Sequence, residues 1–136
     1  MSTYLLDTNT ISKFIKGNDK IASKINLIPS YSVCTSTIIL AELYYGCENA
    51  NSLKIKQILL KVYDDMFKEF RVIPFDAQSA KVFSKIKKNL KNIGKMSEDF
   101  DILIAAQAIA HDMVLVTNNT KHFEQIEDLK LEDWSE

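Results

Sequence analysis

The run "TYLLD" at residues 3–7 constrains this chain most, because its apolar residues stand together without alternation. Strands read this way in parallel sheets covered on both faces. Parallel neighbours cannot be joined by a tight turn and need helical crossovers, and the rest of the chain supplies them. A helix pattern from about Asn9 to Lys16 stops at Gly17, and a second runs from about Asp19 to Asn26, before Pro29. "YSVCTS" reads as the next strand and "TIILAELYYGCE" as a helix. Residues 51–70 carry Ile55, Ile58, Leu59, Val62, Met66 and Phe70 at helical spacing. "RVIPF" is a third strand, with its proline confined to the end. Asp76 caps a helix to about Asn92, with Phe83, Ile86 and Leu90 inward and Gly94 closing it. "MSEDFDILIAAQAIAHD" is a buried helix with Ser97 as its N-cap, "MVLVT" a fourth strand, "NNTKHFEQI" a turn and short helix, and "LKLEDW" a last short strand or tail. Strands alternating with helices predict an α/β fold: a parallel sheet with helices on both sides and right-handed crossovers.

At 136 residues the chain is expected to form a single domain, 1–136, with no internal repeat or linker. Seventeen basic residues against 18 acidic ones give a net charge of −1, so no global positive field attracts nucleic acid and any RNA contact must be local. Cys34 and Cys47 lack the spacing of a zinc or redox site and read as buried reduced thiols. With no signal peptide and no run long enough to span a bilayer, the expected location is the cytoplasm and no membrane contact is expected.

Ligands of such sheets sit beyond the carboxyl ends of the strands. Asp7 lies there, where capping the next helix and lining a site are both open. Glu42 stands in an apolar helix, "IILAELYYG", where an ionised Glu needs a partner; a buried Lys or Arg is one alternative and a charged site the other. Asp101 precedes Ile104 and Ala105 on one inward stripe, whereas Asp99, rotated by about 200°, and Glu98 read as first-turn dipole partners. Thr117, Asn118 and Asn119 end the fourth strand at the same edge, where turn formation alone would explain the amides. Carboxylates brought together there would repel unless a hard cation with oxygen ligands sat between them, and Mg²⁺ with its retained waters suits that role. The expected chemistry is metal-assisted phosphodiester hydrolysis.

"LLDTN", "STIILAELYYG", "FDILIAAQA" and "LVTNNTKHF" followed by "LKLEDW" resemble, in order and spacing, the PIN-domain ribonucleases, specifically the VapC-type toxins of toxin–antitoxin pairs. The resemblance implies a three-layer α/β/α fold with a mostly parallel sheet of four or five strands. It assigns Asp7, Glu42 and Asp101 as acidic catalytic and metal positions, with Thr8 and Asn9 as the polar residues after the first acid. Asn119 falls where many PIN domains carry a fourth acid, although a subset of VapC toxins has the amide; Thr117 supports the same edge. The family implies a Mg²⁺- or Mn²⁺-dependent endoribonuclease that cuts structured RNA, often tRNA, and inhibits translation. It further implies a homodimer and a VapB-type antitoxin, with higher hetero-oligomers of the two, in which an antitoxin Arg or Lys pairs with the carboxylates. A PIN-fold module that binds RNA or protein without cutting is the alternative, which loss of one main acid would have favoured.

Other signals have blander explanations. Lys81, Lys85, Lys88 and Lys95, with Lys87 and Lys91 beside them, read as a solvated helix face. Lys13 and Lys16 lie close to Asp7 in sequence and carry no assigned role. His111 ends a buried helix and reads as dipole-stabilised, whereas His122 falls near the proposed site. Tyr44, Tyr45 and Phe67 read as core or dimer contacts.

Overall fold

The computed structural model describes residues 2–136. Five parallel strands form one sheet: β1 (Thr3–Leu6), β2 (Val33–Ser36), β3 (Arg71–Ile73), β4 (Met113–Val116) and β5 (Lys130–Glu132), in the order β3-β2-β1-β4-β5. Helices α1 (Thr8–Ile15) and α2 (Asp19–Leu27) link β1 to β2. Next, α3 (Thr37–Glu48) and α4 (Leu53–Glu69) link β2 to β3, and α5 (Ala77–Asn92) and α6 (Asp99–Ala110) link β3 to β4. From β1 the chain steps outward to β2 and β3, then returns across the sheet to β4 on the other side of β1. Right-handed crossovers put α1–α4 on one face and the α5/α6 pair on the other. The expected α/β/α architecture is therefore present, with a wholly parallel sheet.

All four residues of β2 and of β4 are buried, as are Leu5 and Leu6 of β1. Ile39 and Leu43 of α3 and Ile102, Ala105 and Ala106 of α6 complete a core on both sides of the sheet. Side chains of Asp7, Asn18, Ser36, Ser52 and Asp76 accept the third backbone N–H of their helices and so cap α1 to α5. Gly17 and Gly94 both adopt positive φ just beyond α1 and α5, where glycine costs least.

The expected boundaries shift in places. Tyr31 and Ser32 belong to a 3₁₀ turn before β2 rather than to the strand, and Pro74 lies just past β3. Ser97 does not cap α6: the cap position is Glu98, whose side chain makes no capping bond, while the Ser97 hydroxyl accepts from Gln125 Nε2 at 3.4 Å. On α4, Met66 is buried as expected, but Ile55 and Ile58 face solvent at about half exposure and Tyr63 takes an inner position that the spacing had not singled out.

Candidate active site

The chain reverses its direction of travel across the sheet between β1 and β4, and such a switch point opens a crevice at the strands' carboxyl ends. Asp7 follows β1 there with no intervening loop. Its backbone N–H donates to Val116 O of β4 at 3.1 Å, and its Oδ1 accepts from Thr10 N at 2.8 Å. Asp7 is thus both the α1 cap and a lining residue of the crevice, so the two readings open in the sequence hold together. The Thr10 hydroxyl donates to the same Val116 carbonyl at 3.1 Å, fastening the first turn of α1 to β4.

Glu42 enters from the second turn of α3, which starts directly at Ser36, the end of β2. It is only half-buried, and among the described residues no Lys or Arg pairs with it. The Thr8 hydroxyl instead donates to Glu42 Oε1 at 2.9 Å, joining the first residue of α1 to α3. Asp101 projects from the first turn of α6, with buried Ile104 and Ala105 behind it. Asp99 turns outward to Lys87 Nζ at 3.0 Å, as its rotation from Asp101 required. A depression of about 80 Å³ brings together Asp7, Thr8, Asn9, Glu42, Asp101 and Asn119, with His122 at its rim. Thr117, fully buried beneath it, hydrogen-bonds the Asp7 carboxyl, and its Oγ1 accepts from the Asn119 backbone N–H at 3.0 Å.

Electrostatics mark this depression. Burial pushes the Asp7 carboxyl above its usual range, against the lowering effect of its bonds from Thr117 and Thr10. Burial likewise raises Glu42, with Asp101, Asp7 and Glu98 adding repulsion against the Thr8 bond. Asp101 is raised by burial first, then lowered by His122 and raised again by Glu98 and Asp7. Two of these neighbours lie outside the expected site residues, Glu98 having been expected only as a first-turn dipole partner. Glu98 adds negative field from the start of α6, and Asp133, directly after β5, raises Asp7. An acid following a strand at this edge was the available signal for Asp133.

All donors at the depression are oxygens, apart from the His122 nitrogen at its rim, which suits a hard divalent cation. Among the described residues no three Asp, Glu, His or Cys side chains stand close enough to clamp one ion directly. Oxygen donors of this kind suit Mg²⁺, which binds through one or two carboxylates and keeps waters for its other positions. A larger groove of about 510 Å³, between α5 and residues 125–128, is floored by aliphatic side chains such as Ile86 and Ile126 and holds none of the sheet-edge carboxylates.

Of the remaining signals, His111 Nε2 lies 2.8 Å from Asp76 Oδ2, where it caps the end of α6 and links it to the start of α5. Tyr44 is tied to Asp64 at 2.6 Å and packs edge-on against Phe67, away from the acidic depression, while Tyr45 is exposed. No helix among the described residues is long and apolar enough to cross a membrane.

Comparison with known proteins agrees with this fold. The family model described as PIN domain matches residues 4–129. "Ribonuclease VapC2" of Haemophilus influenzae is 33% identical over 98% of this chain and 99% of its own. The "tRNA(fMet)-specific endonuclease VapC" of Shigella flexneri is 32% identical over 99% of this chain and all of its own. Among solved structures, the DNA-bound VapBC of Salmonella typhimurium superposes with a TM-score of 0.90 at 32% identity, covering 98% of this chain and 99% of that one. With a family model matching most of the chain, a full-length superposition and full-length relatives above 30% identity, this chain belongs to the PIN-domain family, in its VapC ribonuclease branch.

Proposed function

We propose that this protein is the endoribonuclease toxin of a toxin–antitoxin pair, cutting structured RNA at the depression formed by Asp7, Glu42 and Asp101. The observation that carries the reading is the meeting of these three acids at the switch point between β1 and β4, with no Lys or Arg paired to any of them among the described residues. Their carboxyls are raised first by burial and then by neighbouring acids, and a divalent cation, Mg²⁺ or in its place Mn²⁺, would favour their charged forms against both. Bound there, the ion supplies an activated water and offsets charge on the phosphoryl group.

The chain's own residues set the geometry. Thr10 and Thr117 fix the Asp7 carboxyl, Thr8 fixes that of Glu42, and the buried stripe of α6 fixes Asp101. The starts of α1 and α6 also turn their positive dipole ends to this edge, which favours an anionic phosphodiester beside the acids. Transfer RNA is the proposed substrate, since a full-length relative is named as a tRNA(fMet)-specific endonuclease.

A VapB-type antitoxin is the proposed partner, in keeping with solved relatives named as VapBC complexes. The uncovered apolar residues Leu53, Ile55 and Ile58 on α4, with Tyr45 on α3, give a protein partner a surface to cover, whether the antitoxin or a second copy in a homodimer. Incubating antitoxin-free protein with total cellular RNA, in Mg²⁺, Mn²⁺ or EDTA and beside Asp101→Ala, tests the reading. Discrete metal-dependent products absent from the variant are expected. No cleavage by folded protein under any metal would replace the reading with that of a non-cutting binding module.

A further inference from the structure

Beside the acidic depression lies a second one, of about 290 Å³, and the two share Asp101 and His122 as a common wall. Its remaining lining comes from the segment before α6, Met96 to Glu98, and from Lys121 and Gln125 in the turn after β4. The Gln125 Nε2 bond to Ser97 Oγ ties these two segments together. We infer that this depression seats the nucleotide next to the scissile phosphate, with His122 and Met96 against its base and Lys121 on its flanking phosphate.

The inference rests on the nuclease reading above and goes beyond it by assigning residues outside the acidic set. A chain with one phosphate at Asp7, Glu42 and Asp101 must place its adjoining nucleotide within one backbone step, and this depression opens directly from that point. Its chemistry suits such an occupant. His122 pairs by its edge with Asp101, Nδ1 3.7 Å from Oδ2, and its side chain is 62% exposed, which leaves the ring open to stacking. Met96 is 66% exposed, an apolar side chain with no core to join. Lys121 makes no ion pair among the described residues. Glu98 on the same wall repels phosphate from the α6 side, which orients a strand with its backbone toward Lys121 and its base toward Met96 and His122. Gln125 adds an amide whose carbonyl oxygen is left to read a base edge. A protein segment would need a larger apolar area than Met96 supplies in this depression.

Binding of bulk tRNA to full-length, antitoxin-free protein in the Asp7→Asn background, together with cleavage by the otherwise unsubstituted enzyme, tests the assignment. Lys121→Ala should weaken binding about tenfold and reduce the slope of log affinity against log salt by roughly one. His122→Ala should also cost about tenfold, and His122→Phe, which keeps an aromatic face, should recover most of it. Lys54→Ala on α4 serves as the control for removing one exposed charge. Lys121→Ala and His122→Ala proteins that bind and cut like the parent would overturn the subsite while leaving the nuclease intact. His122→Phe no better than His122→Ala would overturn the stacking role. A folded parent that neither binds nor cuts RNA would overturn the nuclease reading and the subsite together.

Discussion

Asp7 shows how a capping residue and a site residue can be one side chain. One carboxylate oxygen accepts from the start of α1, and the group still lines the crevice. Asparagine caps as well as aspartate, so Asp7→Asn keeps the fold and removes the charge. Asp7→Asn and Glu42→Gln should each lower RNA cleavage by roughly 10³-fold or more while circular dichroism stays native. Full activity in either folded variant would exclude the three-acid site. Thr8→Val, which removes only the hydroxyl that orients Glu42, should cost roughly tenfold, as loss of a supporting partner commonly does.

The same side chains give a pH signature with a definite sign. Asp7, Glu42 and Asp101 have folded carboxyls raised above 3.8, 4.5 and 3.8, so their stabilising contribution is complete below those values and is lost as pH rises through the folded ones. Asp76, held below 3.8 mainly by its bonds from Ser79 and then by His111, contributes above 3.8 and is lost only at lower pH. Metal-free protein should therefore melt at a higher temperature as pH falls from neutral toward 4.5, and Asp7→Asn should flatten that rise. A melting temperature that falls over this window would show that the site acids do not carry the strain assigned to them.

Among the elements, the strands and a few of the caps were legible because each has a local cause, whereas Asn18, Ser36 and Ser52 were not read as caps. Asp7, Asp76, Gly17 and Gly94 stand where short-range backbone chemistry puts such residues. Asn18→Ala, which deletes the bond accepted from Ile21 N at 3.0 Å, should cost about 1 kcal/mol in chemical denaturation. Leu115→Ala, at the fully buried centre of β4, should cost about 2–5 kcal/mol. What was not legible depends on tertiary partners. Ser97 looked like a cap by residue type, yet Gln125, 28 positions away, takes its hydroxyl. Ile55 and Ile58 have helical spacing, but spacing cannot say which apolar stripe finds a neighbour in the same chain, and the start of α4 finds none for these two. Glu42's donor Thr8 was likewise noticed only as a polar residue after Asp7, because a contact 34 positions long leaves no local trace.

At the scale of the whole molecule, the site is a property of the sheet's topology. Its acids come from the β1–α1 joint, from α3 and from α6, and are brought to one edge by the return of the chain across β1. An ion bound there stabilises only the folded state, so Mg²⁺ at about a hundred times its dissociation constant should add about 2.7 kcal/mol to unfolding. EDTA should remove the gain, and Asp101→Asn should diminish it. No metal-dependent shift in the unsubstituted protein would argue against a cation site. The apolar patch of α4 belongs to the same scale. Ile58→Ser should change the stability of the isolated chain by no more than about 0.5 kcal/mol, while weakening association with the antitoxin or a second copy, as measured by sedimentation.

The tie between Asp7 and Val116 also has a consequence in time. Asp7 is synthesised more than a hundred residues before Val116 and the strand that holds it in place, and β5 follows later still. Until then the chain has no edge at which its acids can meet. The cleavage proposed for this edge can therefore begin only once β4 is in place, and any fragment released before β4 is synthesised carries Asp7 and Glu42 without the edge that joins them.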